Sequence, residues 1–152
     1  MDATDRKILS ELQLDARLTV TELAGRVRLS LSPAHRRLRD LERSGVISGY
    51  RARLNPEAVG LAFEALVFVV MRDGGREKLD AFESAVTALP NVIHAHRLFG
   101  DPDYLLRVVA VDLDAFRQLY DEQLSALPGV LKLTSTLVMK NVVIDRPYPI
   151  DL

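Results

Sequence analysis

Residues 19–45 read TVTELAGRVRLSLSPAHRRLRDLERSG, and this stretch decides the architecture of the first third of the chain. Thr19 and Glu22 stand at capping-box spacing, followed by Leu23, Ala24 and Val27 on one side of a short helix. A turn over Arg28 to Leu31 leads to another helix, with Ser32 expected as its N-cap and Pro33 at its first position. Ala34, Leu38 and Leu41 fall at i, i+4 and i+7 and make a stripe to bury, and Gly45 stops the helix. The opposite side carries Ser32, Arg36, Arg39 and Arg43, flanked by His35 and Arg37. Upstream, residues 5–15 predict a helix capped by Thr4, with Ile8, Leu9 and Leu12 on one stripe. Three short helices, the last two joined by a tight turn and the last basic on its free side, are what a helix-turn-helix requires. The apolar stripe sets the angle of the third helix, and its N-terminal end enters the major groove.

Charge supports that reading. The whole chain of 152 residues has 20 Lys+Arg against 21 Asp+Glu, yet residues 1–60 carry 11 against 8 and residues 61–152 carry 9 against 13. Residues 26–53 hold eight arginines and no lysine, with only Asp40 and Glu42 to offset them. Guanidinium groups suit bidentate contacts to phosphate and guanine. A solvated helix face or a protein-binding module could carry the same charge. The position of the arginines on the free side of the third helix favours DNA.

The 48% hydrophobic and 27% charged fractions are those of a globular chain. With no Cys, disulfides, thiolate metal sites and Cys nucleophiles are excluded. The acidic, polar start is not that of a secretory signal. The longest apolar run, Ala65 to Met71, is too short to span a bilayer. The expectation is a cytoplasmic protein with no membrane partner.

Residues 47–54 read as a strand leaving the helical unit, and Asn55-Pro56 marks a boundary. The expected division is a DNA-binding domain over residues 1–53, a linker over 54–61 and a second domain over 62–152. The second domain contains a repeat. Asp80-Ala81-Phe82 leads to Ala88-Leu89-Pro90-Asn91-Val92, and Asp114-Ala115-Phe116 leads to Ala126-Leu127-Pro128-Gly129-Val130. Each reads as an Asp-capped helix stopped by Leu-Pro, the second longer by about one turn. Strand-like runs precede them at Ala62–Arg72 and Tyr104–Asp112 and follow them at Val92–Phe99 and Val130–Ile144. The order is βαββαβ, a ferredoxin-like unit, so the fold class is α+β. Ala65–Met71 and Leu105–Val111 are apolar at nearly every position. The sheet face away from the helices should therefore be covered by a second protein surface, which argues for a homo-oligomer. Between the middle strands, Phe99-Gly100-Asp101-Pro102-Asp103-Tyr104 has the composition of a hairpin turn. Its carboxylates and N–H groups could also hold an ammonium and a carboxylate, but on local sequence the turn reading prevails.

Five fragments then stand in one order. They are Asp5-x-x-Ile8-Leu9, Leu41-Glu42-x-x-Gly45-Val46-Ile47-x-Gly49-Tyr50, Asn55-Pro56, Gly100-Asp101-x-Asp103-Tyr104-Leu105 and Leu127-Pro128-Gly129-Val130. In these the chain resembles the Lrp/AsnC (feast/famine) transcriptional regulators over essentially its whole length. The resemblance implies a winged-helix-like DNA-binding domain and a C-terminal effector domain of the type called RAM. It implies dimers that assemble to tetramers or octamers, and an amino acid or related metabolite bound between dimers. Carried onto this chain, the recognition helix matches residues 32–44, with Ser32, His35, Arg36 and Arg39 facing the groove and Ser30 and Arg37 placed to reach phosphates. The effector loop falls on Gly100, Asp101 and Asp103, the opposing strand on Thr136, Leu137 and Val138, and His96 lines the pocket. Three positions depart from the family pattern: Arg28 stands where the turn has Gly, Leu31 where Pro or a small polar residue is common, and Pro102 where an aromatic is frequent.

Catalysis has little support, since no nucleophile motif, phosphate loop or zinc-protease motif occurs in the chain. No cofactor is implied. His94 and His96 project from one side of a strand as two possible metal ligands, but no third is apparent. Two functions remain beside a remote enzymatic one. The first is a sequence-specific regulator that binds double-stranded DNA at a near-palindromic operator and senses an amino acid. The second is an effector-insensitive architectural protein that wraps DNA.

Overall fold

A computed structural model describes residues 1–150. The chain forms two compact units, Met1–Arg53 joined by the tail from Val142, and Leu54–Asn141. The tail therefore groups with the first unit, whereas the sequence reading placed it in the second domain.

In the first unit, α1 (Ala3–Leu14), α2 (Val20–Arg26) and α3 (Leu31–Arg43) close around Ile8, Leu12, Leu23, Val27 and Leu41, with Leu9, Leu18, Leu29, Leu38 and Ile47 packed against them. Burying an aliphatic side chain of this size is worth roughly 1.5–3 kcal/mol, so this small core is enough to fix the angles of the three helices. The stripe Ala34, Leu38, Leu41 faces it. Thr19 and Glu22 form the expected reciprocal capping box. At α1 the cap is Asp2 rather than Thr4: Asp5 N–H donates to Asp2 Oδ1 and Asp2 N–H to Asp5 Oδ2, both at 2.9 Å. A carboxylate satisfies a helix N-terminus more strongly than a hydroxyl. α3 starts earlier than expected, with Ser30 as N-cap, so Pro33 lies inside the first turn, where its missing N–H still leaves no ladder bond broken. Residues 47–54 form no strand: Ile47 N–H donates back to Leu41 O at the end of α3, and Tyr50 Oη to Glu42. The tail is held to α1 by Gln13, which donates to Tyr148 O and accepts from Tyr148 N–H, and by Arg6 Nη1 donating to Ile150 O at 2.9 Å.

The second unit has the βαββαβ order: β1 (Phe63–Met71), α4 (Arg76–Thr87), β2 (Val92–Arg97), β3 (Tyr104–Ala110), α5 (Leu113–Leu119) and β4 (Val130–Leu137). The antiparallel sheet runs β2-β3-β1-β4. A 3-10 turn over Glu57–Val59 precedes it within the expected linker. Asp80 lies inside α4, whose N-cap is Gly75, and Asp112 rather than Asp114 caps α5 by accepting from Ala115 N–H. The extra residues of the second repeat form a π-helical turn over Tyr120–Leu124. β4 ends at Leu137, short of the expected Ile144, and from Val142 the chain groups with the first unit.

Ala65, Val67, Val69 and Met71 of β1 and Tyr104, Leu106, Val108 and Ala110 of β3 are buried with Leu79, Phe82 and Val86 of α4 and with Phe116 and Leu119 of α5. The apolar run of β1 therefore conceals a strict alternation, whereas in β3 Val109 is buried together with Val108 and Ala110. Leu66, Phe68 and Val70 point to the other face of the sheet, where they are only partly covered. That face also carries Leu105, Arg107, His94 and His96 by register. Arg107 is bonded there to Glu64 through Nε and Nη2, at 2.6 and 3.0 Å.

Candidate functional site

The first candidate surface is the free side of α3. Ser30, Ser32, His35, Arg36 and Arg39 are all exposed, and among the described residues no acidic side chain pairs with Arg36 or Arg39. Arg43 pairs with Asp40 within the helix. The N-cap Ser30 makes no side-chain capping bond, so its hydroxyl is uncommitted within the helix. Arg37 differs from the sequence reading, which gave it to phosphate. Its Nη1 lies 2.7 Å from both Asp2 Oδ2 and Asp5 Oδ1, and it locks α3 to the start of α1. The Asp5 N–H, followed by the Arg37 guanidinium, holds the Asp2 carboxyl below its ordinary range.

The turn before α3 is unusual. Arg28 has φ +56, a left-handed conformation that costs a non-glycine residue about 1–2 kcal/mol. The hydrogen bonds Arg28 N–H to Gly25 O (3.3 Å) and Leu29 N–H to Ala24 O (2.9 Å) close a Schellman turn around it. The sequence signal is the departure from glycine at this position; the DNA-contact residues that the resemblance implies do not include Arg28.

The second candidate region lies around the β2–β3 loop. Gly100 and Asp101 are exposed, and Gly100 has φ +132 with open space where a side chain would stand. Asp103 is partly buried. Its Oδ2 accepts from Met71 N–H at 2.7 Å, and its own N–H donates to Val69 O at 2.9 Å. It is a clasp between loop and sheet. His96 lies on β2 opposite Leu105, its ring stacked 6.1 Å from that of His94. Among the described residues no third metal-binding side chain joins the pair.

Thr136 and Leu137 lie elsewhere. Leu137 pairs with Ala65 and Thr136 with Leu66 on β1, and Val138 N–H donates to Glu64 O. The loop is beside Val69 and Met71, at the other end of the same strand. With strands about 4.8 Å apart and a rise of about 3.3 Å per residue, the two groups are roughly 15 Å apart. One chain does not bring them together.

A family model described as the Lrp/AsnC ligand binding domain matches residues 64–148. The chain belongs to the Lrp/AsnC family. A second model, for winged helix-turn-helix DNA-binding domains, matches residues 1–48 of this Lrp/AsnC protein. It is similar to the proline dehydrogenase transcriptional activator of Rhodobacter capsulatus, with 43% identity over 143 residues that cover 94% of this chain and 93% of that one. It is also similar to the leucine-responsive regulatory protein of Escherichia coli (strain K12), with 39% identity over 142 residues covering 93% and 87%. Among solved structures, a transcriptional regulator from Neisseria meningitidis in complex with L-Met has a TM-score of 0.94 at 36% identity, with 99% of this chain and 97% of that one covered. An AsnC family regulator from Agrobacterium tumefaciens has a TM-score of 0.93 at 34% identity, with 99% and 98% covered. The chain is thus a DNA-binding transcriptional regulator with a ligand-binding domain, and not an enzyme. Among the described residues, no helix of this Lrp/AsnC regulator is long and apolar enough to cross a membrane.

Proposed function

We propose that this regulator works in the cytoplasm as a homo-oligomer. Two copies of α3 read a near-palindromic operator in double-stranded DNA, and an amino acid bound between copies switches the complex. The observation that carries the DNA reading is the free side of α3, where Ser32, His35, Arg36 and Arg39 are exposed while Ala34 and Leu41 are buried behind them. A helix held this way presents guanidinium forks to guanine edges and phosphates, and Ser30 stands at its entry.

Amino-acid sensing is supported by the relatives, one named leucine-responsive and another solved with L-Met. In the β2–β3 loop, the exposed Asp101 carboxylate supplies a partner for an ammonium, and the backbone at Gly100 allows close approach of a carboxylate. Asp103 shapes this loop, and His96 borders it. Thr136, Leu137 and Val138 lie too far away in the same chain, so they complete the site from a second copy. Dimers joined into a tetramer or octamer then gain or lose stability with ligand. The effector acts only through its different affinity for two assemblies or geometries.

Selection of bound duplexes from a random pool tests the DNA reading. Enrichment of a near-palindrome with half-sites about one helical turn apart, or a multiple of that, supports it. Binding without enrichment would favour an architectural role. A thermal-shift panel of the natural amino acids tests the effector. One or a few should stabilise the protein and change its mass in light scattering, and a flat response to all would contradict sensing.

A further inference from the structure

We propose that Arg28 is a DNA-backbone contact, its guanidinium binding a phosphate beside the groove that α3 enters. The inference rests on the DNA-binding reading of α3 and extends it to the turn.

The backbone supplies the first observation. Arg28 follows the C-cap of α2 and sits in the left-handed region at φ +56. The same position after α3 is filled by Gly45 at φ +76, where the lack of a Cβ makes the conformation free of strain. An arginine is therefore held in a conformation that glycine would adopt at no penalty. Strain of this kind collects where a side chain has a task.

Several arginines of this unit have structural partners; Arg28, like Arg36 and Arg39 on the reading face, has none among the described residues. Arg26 pairs with Glu11 at 3.0 Å, Arg37 with Asp2 and Asp5, and Arg43 with Asp40. Arg28 is exposed, and among the described residues no carboxylate holds it. An ion pair within the fold does not explain its presence.

Position supplies the ligand. Arg28 lies two residues before Ser30, the N-cap of α3, and so at the end of that helix which bears Ser32, His35 and Arg36. Half or more of protein–DNA hydrogen bonds go to phosphate and sugar, arginine being a main donor, and these contacts fix the register of the reading helix. A planar fork of N–H donors matches phosphate in charge and in geometry.

The full-length chain and its Arg28→Gly and Arg28→Lys variants are titrated by fluorescence anisotropy against a labelled random-sequence duplex of roughly three helical turns, over a series of salt concentrations. Loss of one phosphate contact lowers the slope of log affinity against log salt by about 0.9, so a variant dimer, losing one in each bound copy, drops by about 1.8. Arg28→Gly should show that loss with several-fold weaker binding at low salt, and its melting temperature should not fall. Arg28→Lys should keep the parent slope. An unchanged slope and affinity in Arg28→Gly would overturn the contact and leave the reading of α3 standing. A lowered melting temperature in Arg28→Gly would also overturn it, by showing that Arg28 serves the fold. No binding by the parent chain would overturn both.

Discussion

The backbone N–H of Met71, at the end of β1, donates to the Asp103 carboxylate at 2.7 Å. This bond clasps the loop ahead of β3 to the neighbouring strand. Asp103→Ala leaves the Met71 N–H without its partner, an omission that costs about 1–3 kcal/mol. The expected outcome is a melting temperature several degrees lower even with no effector present, with Asp103→Asn recovering much of the loss. Thermal unfolding by circular dichroism checks it, and an unaltered Asp103→Ala melt would remove the clasp.

Arg37 joins α3 to the first turn of α1 through Asp2 and Asp5. Arg37→Ala should lower the melting temperature of the DNA-binding unit by a few degrees, and less so in high salt, because the pairs are open to solvent. Combining it with Asp5→Ala should give less than the sum of the single effects, since the two are paired with each other. Additive losses in denaturant titrations would show that the pair is not coupled.

Glu64 gives a pH dependence of defined sign. The Arg107 guanidinium, with help from Asn141, holds its carboxyl below the ordinary value of 4.5, against the opposing effect of burial. The unfolded chain therefore takes up the proton first as the medium is acidified. The stability contributed is complete above pH 4.5 and is lost as pH falls through the lower folded value. Asp2 and Asp73 are depressed as well, by the Asp5 N–H and by Lys78 respectively. Glu64→Gln should accordingly flatten only part of the acid limb in unfolding curves taken between neutral pH and pH 3. An acid limb identical to that of the parent would show that the ion pair does not contribute.

How far the sequence could be read depended on the range of the forces involved. The capping box of Thr19 and Glu22, the stripe Ala34, Leu38, Leu41 and the βαββαβ order are local patterns of period and punctuation, and the structure has all three. The cap of α1 was misplaced by two residues because two carboxylates and a hydroxyl stand close together, and only geometry selects among them. Residues 47–54 have the composition of a strand but bond back to α3 through Ile47 and Tyr50 instead of joining a sheet. The family resemblance gives Arg37 to phosphate and Asp103 to the effector; that Arg37 also meets Asp2 and Asp5, and Asp103 the Met71 N–H, is invisible in the sequence because those partners are distant along the chain. Nor does the sequence reveal that the loop and residues 136–138 lie at opposite ends of the sheet, since that follows from the register of β1 with both its neighbours.

The central claim is that α3 reads DNA through its free arginines. It is tested most directly by competition titration of the parent chain and Arg36→Ala on the duplex enriched by selection, with random DNA in excess. The parent should bind in the presence of competitor. Arg36→Ala should lose about 1–3 kcal/mol, or roughly ten-fold or more in affinity, at unchanged melting temperature and oligomer mass. Equal binding by the two proteins, or no competitor-resistant binding by the parent, would contradict it.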